Sequence, residues 1–185
     1  MSVIKHNLLL LFLILLTSLT AAADLQTKQL NELFNSLSKI DNIDDADLLE
    51  KKIWALWNQH PYDRNLTYKL ELGTQLMYAG SYQYALEVFS NVVKSDPAWS
   101  EAWNKRATLL FFMKDYQKSL DDIKNVLNIE PRHFGALSGR AQIFIMLEEY
   151  QKAIDDLKKA KKIHPVIRSN YLIPQLEKLI KGLSI

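Results

Sequence analysis

Any acid–base or metal chemistry in this chain has to come from four histidines and a recurring pair of acids. Asp121-Asp122 returns as Asp155-Asp156, 34 residues on. Paired carboxylates can hold a hard cation or pass a proton to a substrate. Adjacent residues on a helix point in different directions, however, and do not converge on one ligand. Lys118 precedes Asp122 by four residues and Lys152 precedes Asp156 by four, so the spacing predicts ion pairs on a solvated helix face. His60 and His164 stand immediately before prolines, His133 follows one closely, and His6 lies in the N-terminal stretch. The first three read as turn residues, where an imidazole meets helix ends rather than substrate. The H-E-x-x-H, G-x-S-x-G and P-loop signatures do not occur, and there is no cysteine to act as nucleophile or ligand. Lys158, Lys159, Lys161 and Lys162 form the densest basic cluster. Such a cluster can attract an acidic partner, anionic lipid or nucleic acid. Lysines also complement a helix C-terminus, and no aromatic residues interleave these as base stacking requires. The sequence thus offers no catalytic residue, no metal site, no cofactor and no nucleic-acid partner.

What positions these residues is a repeat. Pro97, Pro131 and Pro165 are 34 residues apart, and the same residue types return at the same offsets before each. Gly73, Ala107 and Ala141 align; so do Tyr82, Tyr116 and Tyr150, then Ala85, Ser119 and Ala153. Phe89, Ile123 and Leu157 form a further column, as do Val92, Val126 and Ala160. Each copy reads as two amphipathic helices joined by a tight turn. The small residues belong where two backbones cross closely, with the tyrosines beside the crossing and the large residues over its far end. Proline ends each copy because it lacks an N–H and clashes with the preceding turn. One such hairpin cannot bury its apolar face alone, so neighbours must stack.

In the middle copy, Trp103, Arg106-Ala107, Leu110, Tyr116, Ser119, Ile123, Val126 and Pro131 resemble the tetratricopeptide repeat (TPR), a 34-residue unit. The first copy is similar through Leu72-Gly73, Tyr82, Ala85, Phe89 and Pro97, and the third through Ala141, Phe144, Tyr150, Ala153, Leu157, Ala160 and Pro165. Lys69 and Leu137 stand where the family usually has Trp, and Ser119 where it has Ala. The resemblance covers about half the chain closely. It implies an all-α, right-handed solenoid of antiparallel helix pairs, with repeats at 66–99, 100–133 and 134–167. Within them, Gly80 fits a left-handed helix end and Ser81, Asp115 and Glu149 the following cap positions.

Residues 1–23 have a short basic start, an apolar run from Leu8 to Leu16 and Ala21-Ala22-Ala23, the layout of a secretory signal peptide. The run is shorter than the roughly 20 residues a bilayer span takes, so cleavage before Asp24, with no stable membrane span afterwards, is the expectation; an uncleaved anchor is the alternative. Without cysteine, neither a disulfide framework nor a lipoprotein anchor is available. The segment from Pro131 to Leu137 also looks like a stretch of small exported TPR proteins of Gram-negative bacteria, which implies a periplasmic or secreted protein. Residues 24–65 read as a divergent helical pair, a degenerate repeat or cap. Its stripes are Leu30, Leu33, Phe34, Leu37 and Ile40, then Leu48, Leu49, Ile53, Leu56 and Trp57, and Trp54 and Trp57 serve as docking aromatics. Residues 168–185 read as a closing helix whose Leu172, Ile173, Leu176, Leu179 and Ile180 cover the last repeat. Charge divides unevenly. Asp24 to Asp96 holds 7 Lys/Arg against 11 Asp/Glu, and the chain from Pro97 onward 15 against 10, which predicts a molecule polar from end to end.

In TPR domains the first helices of successive repeats line a concave groove for peptides or helices. The resemblance places Leu70, Thr74, Met77 and Tyr78 there from the first copy, Asn104, Thr108, Phe111 and Phe112 from the second, and Ser138, Gln142, Ile145 and Met146 from the third. The family usually has a polar residue at the positions of Tyr78, Phe112 and Met146, so an apolar strip is expected. Such strips mark interaction sites when exposed; the terminal helices burying this one is the alternative. Co-chaperones that clamp a terminal carboxylate use Lys, Asn and Arg at positions held here by Leu70, Thr74, Lys105, Gly135 and Gly139, so that specialisation is not expected. The reading is a non-catalytic module for a protein or peptide partner, or else a homo-oligomer subunit whose groove a second copy fills.

Overall fold

The computed structural model describes residues 21–183, and the regular structure among them is helical throughout. Helix α1 covers 21–37. It is followed by α2 (Ile43–Trp57), α3 (Arg64–Tyr78), α4 (Tyr82–Ser95), α5 (Ser100–Phe112), α6 (Tyr116–Ile129), α7 (Phe134–Met146) and α8 (Tyr150–Ile163). A 3-10 turn at Arg168–Tyr171 leads into α9 (Leu172–Leu183). The helices α3 to α8 form three antiparallel hairpins, α3·α4, α5·α6 and α7·α8, stacked side by side. This is the all-α, TPR-type solenoid of helix pairs.

The turn inside each hairpin repeats to the residue. Gly80, Lys114 and Glu148 are left-handed, with φ of 75°, 62° and 59°. The N–H groups of Ser81, Asp115 and Glu149 reach back to the carbonyls of Leu76, Leu110 and Phe144 at 2.8–2.9 Å. These bonds satisfy carbonyls a helix end would leave free. Only the first copy uses glycine there. Of the expected caps, Asp115 bonds the Lys118 N–H, whereas Ser81 and Glu149 make no side-chain cap.

The crossings are as close as the small residues imply. A Cβ on Gly73 would lie 2.5 Å from the Phe89 ring. Ser119, in place of alanine, is buried and donates its hydroxyl hydrogen to the Ala107 carbonyl at 2.7 Å, so the polar atom is satisfied across the crossing. Phe89, Ile123, Leu157, Val92, Val126 and Ala160 are all buried. Tyr116 and Tyr150 are half-buried beside their crossings, but Tyr82 is exposed and stacks on Phe112 at 6.5 Å.

The solvated reading of the second acids is corrected. Asp122 and Asp156 are buried, each gripped by both arms of an arginine from the preceding helix. Arg106 donates to Asp122 at 2.7 and 2.8 Å, and Arg140 to Asp156 at 2.6 and 2.8 Å. Lys118 pairs instead with Asp115, and Lys152 with Glu149, three residues back on the surface. The i,i+4 spacing was satisfied in sequence, but the helix turns each second acid toward its neighbouring helix.

At the C-terminal end, Ile173 and Leu176 are buried against Ile154 and Leu157, with Leu172 and Ile180 partly covered. Leu179 stays exposed, on the outer side of α9. At the other end, α1 and α2 bury Leu30, Phe34, Leu37, Ile53 and Trp57, leaving Leu48 exposed and Leu33, Ile40, Leu49 and Leu56 partly covered. Helix α2 does not pack on α3 as α4 packs on α5. The hairpin's apolar face meets Phe134, Leu137 and Ala160 from the third repeat. The acidic start of α2 therefore lies by the basic end of the array, with Asp47 bonded to Arg168 at 2.5 Å. The expected end-to-end charge separation is thereby folded back on itself.

Candidate functional site

The concave side is built by α3, α5 and α7, which lie next to one another. Its two ends differ. Across the N-terminal ends of α5 and α7 lies α2. Trp57 stacks on His133 with ring centroids 4.0 Å apart, and Trp54 packs edge-on against His133 and Phe134. Trp54 also covers Gly135, where an added Cβ would meet its ring at 2.6 Å. Trp99 donates its indole N–H to the Trp57 carbonyl at 2.9 Å, fully buried. Both tryptophans of the hairpin thus act as docking groups.

The histidines fix these junctions. His133 accepts the Ala136 N–H at Nδ1 (3.0 Å), so its Nε2 carries the hydrogen and donates to Glu101 at 3.0 Å. His60 does the same at the start of α3: Nδ1 accepts the Asp63 N–H at 3.0 Å and Nε2 donates to Asp96 at 2.7 Å. His164 meets Glu50 of α2 at 3.1 Å. His60 and His133 sit at N–H ends, with a carboxylate on the far nitrogen, whereas His164 follows the C-terminal end of α8 and its Nδ1 has no hydrogen-bond partner. Burial pushes the Glu101 carboxyl up, yet the His133 hydrogen bond and the Lys105 charge outweigh it and hold the group below its ordinary range. Glu50 is likewise held low, chiefly by the His164 hydrogen bond and also by the Trp54 N–H, against an opposing push from burial. These three pairs are structural. Among the described residues, no group of three or more His, Asp or Glu side chains is arranged to hold a metal ion, and no helix is long and apolar enough to cross a membrane. The N-terminal 20 residues read as the start of a signal peptide lie outside the described residues.

The other end of the groove is open. Tyr78, Phe112 and Met146, at the last turns of α3, α5 and α7, are 78%, 45% and 57% exposed. The strip is therefore not covered by α1, α2 or α9. Below it, a cleft of about 130 Å³ separates α5 from α7, lined by Asn104, Thr108, Phe111, Phe112, Gly139 and Gln142 among others. Five of the twelve expected groove residues meet there: Asn104, Thr108, Phe111, Phe112 and Gln142. Ile145 is half-buried against the core that α7 shares with α8 and α9. Thr74 and Thr108 spend their hydroxyls on their own helices, at the Leu70 and Asn104 carbonyls. Ser138 is drawn away to the hairpin side, where its hydroxyl meets that of Ser169 at 3.1 Å.

Leu70 and Met77 do not face the groove. They are buried in the core shared by α3, α4 and α5, because that side of α3 turns toward Ala102 and Leu109 of the next first helix. Asn104 lines the cleft but is largely buried, its amide bonded to Glu101 at 3.1 Å. Lys105 is paired with Glu101 at 3.2 Å and lies over Trp54. Sequence reasoning missed the Arg106–Asp122 and Arg140–Asp156 clamps, although an arginine 16 residues before each acid recurs at the repeat period and could have shown them.

No family model matches the chain, and no curated protein matches its sequence. Solved structures do. The first TPR domain of Spaghetti (RPAP3) bound to an HSP90 peptide superposes with a TM-score of 0.60 at 16% identity, covering 63% of this chain and 93% of that one. The Arabidopsis OM64 TPR domain gives 0.58 at 17% identity, covering 62% and 95%. The TPR2B domain of yeast Sti1, in complex with an Hsp70 peptide, gives 0.53 at 20% identity, covering 59% and 93%. Identities this low carry the fold and nothing finer, and by its repeats and its architecture this chain has the fold of a TPR domain.

Proposed function

We propose that this chain is a non-catalytic protein-interaction module that takes a peptide or helix of a partner in the open end of its concave groove. The observation that carries the reading is the exposure, in register on three successive repeats, of Tyr78, Phe112 and Met146. An apolar strip held in water by a rigid scaffold is a recurrent interaction surface. That similar TPR domains were solved with HSP90 or HSP70 peptides supports a peptide-sized ligand. The test is selection from a phage-displayed random peptide library by the protein, with Phe112→Asp and Met146→Asp as controls. The protein should enrich a consensus, and both variants should lose it while keeping the parent's helical circular dichroism and melting temperature. Failure to enrich, or enrichment that survives both substitutions, overturns the reading. Light scattering showing a stable dimer that either substitution dissolves would instead assign the strip to a second copy.

We also propose that the protein is exported to the periplasm with its first 23 residues removed, on the layout of residues 5–23. Intact mass of the protein recovered from the periplasmic fraction should correspond to a chain starting at Asp24. A chain that retains Met1 in the cytosol refutes export.

A further inference from the structure

We infer that the cleft between α5 and α7 is an anchor pocket for one large uncharged side chain, aliphatic or aromatic, carried by an internal segment of the partner. This rests on the groove reading above and narrows its ligand. Three observations carry it. The first is size. The cleft holds about 130 Å³, close to the roughly 150 Å³ of a dry apolar cavity that accepts a benzene ring. One side chain of Leu, Met or Phe size fills it, and a longer stretch of partner has no room below the rim.

The second is the floor. Gly139 is in mid-helix, and a Cβ built on it would meet nothing within 4 Å. The other helical glycines Gly73 and Gly135 are covered, by Phe89 and Trp54. Gly139 alone of these three leaves a dimple facing open space, with the Phe111 and Phe112 rings among the walls.

The third is charge. No charged residue lines the cleft, and the basic residues on α5 and α7 that adjoin its lining in sequence, Lys105, Arg106 and Arg140, are committed to Glu101, Asp122 and Asp156. A carboxylate brought here would be desolvated without a partner, which proteins avoid at a cost of several kcal/mol. One polar group is available. The Gln142 amide is exposed and has no partner in the chain. An amide offers one acceptor and a pair of donors, which matches the N–H and C=O of a backbone running past the pocket. A free chain terminus finds no counter-charge.

The experiment is amide-resolved NMR titration of the intact protein with capped single residues: N-acetyl-leucinamide, N-acetyl-phenylalaninamide and N-acetyl-aspartamide. The leucine and phenylalanine probes should shift the Thr108, Gly139 and Gln142 amides saturably, and the aspartate probe should not. Gly139→Leu, which grows into open space, should keep the fold and abolish those shifts, and Gln142→Ala should weaken them several-fold. Equal shifts from the aspartate probe, or shifts that persist in Gly139→Leu, overturn the anchor pocket. Library peptides distinguish this from failure of the groove reading. If their binding is lost in Phe112→Asp but unchanged in Gly139→Leu, the groove binds and the pocket does not anchor. If it survives in both, the groove reading fails as well.

Discussion

Two glycines in the interiors of equivalent helices should respond to the same substitution with opposite signs. Replacing a mid-helix glycine by alanine gains about 1 kcal/mol from backbone entropy. At Gly139 nothing opposes that gain, since the new methyl meets no atom within 4 Å. At Gly73 the methyl would sit 2.5, 2.8 and 3.1 Å from three atoms of the Phe89 ring. Carbon atoms settle about 3.5–4.0 Å apart, so the ring must retreat by roughly 1 Å. Phe89 is completely buried, packed with Leu66, Val92 and Leu109, and has no free space to enter. Overpacking of this kind costs about 1–3 kcal/mol, and three ring atoms in the way argue for the upper part of that range. Gly73→Ala should therefore destabilise by about 1–2 kcal/mol net, placing the two variants roughly 2–3 kcal/mol apart. Urea unfolding followed by circular dichroism resolves this directly. In a thermal melt each kcal/mol corresponds to about 2–4 °C for a chain of this size. If Gly73→Ala is as stable as the parent, α3 and α4 do not cross as closely as described. If Gly139→Ala is destabilised, the cleft below the apolar strip is filled.

Three further outcomes follow from the repeat geometry. Lys114→Gly and Glu148→Gly relieve left-handed residues that cost about 1–2 kcal/mol without glycine, so each should raise the unfolding free energy measured in urea, by about 0.5–1 kcal/mol after glycine's own entropy cost. Arg106→Ala strands the buried Asp122 and should cost about 3–5 kcal/mol, whereas Lys118→Ala, on an exposed pair, should cost under about 1 kcal/mol; equal effects in a denaturation series would refute the assignment. Glu101 is held below its ordinary value, so its contribution is full above the unfolded value of 4.5 and drains as pH falls through the lower folded value. Stability measured from neutral to acid pH should accordingly drop less steeply in Glu101→Gln than in the parent, and parallel curves would remove Glu101 from the acid response.

The stacked hairpins were legible because their information is local and periodic. Small residues at Gly73, Ala107 and Ala141 can only mean close crossings when Ala85, Ser119 and Ala153 answer them, and the spacing fixes which helix meets which. The same regularity misled the reading of the acids. Lys118 and Asp122 satisfy a surface rule in one dimension, but Asp122 points across to Arg106, a partner 16 residues away that no single-helix rule connects. Leu70 and Met77 were misplaced for a related reason: their side of α3 is groove in a shallow array and core here, where Ala102 and Leu109 close against it.

The position of the α1–α2 hairpin was not legible at all, and it is what gives the groove its character. Amphipathic stripes such as Leu30, Phe34 and Leu37 say that a helix buries one face but not against what. Long-range contacts decided it: Trp57 on His133, Glu50 on His164, Trp99 on the Trp57 carbonyl. None of these pairs is periodic, since the hairpin occurs once. By lying over Gly135 and engaging Lys105, it takes up the end of the groove where this chain has its only basic residue at a clamp position. What remains open is the end formed by Tyr78, Phe112 and Met146. On the function proposed above, such a surface, with its charge neutralised from within and its apolar end exposed, would select partners by shape and hydrophobic burial, the alternative end being closed off by the chain's own N-terminal hairpin.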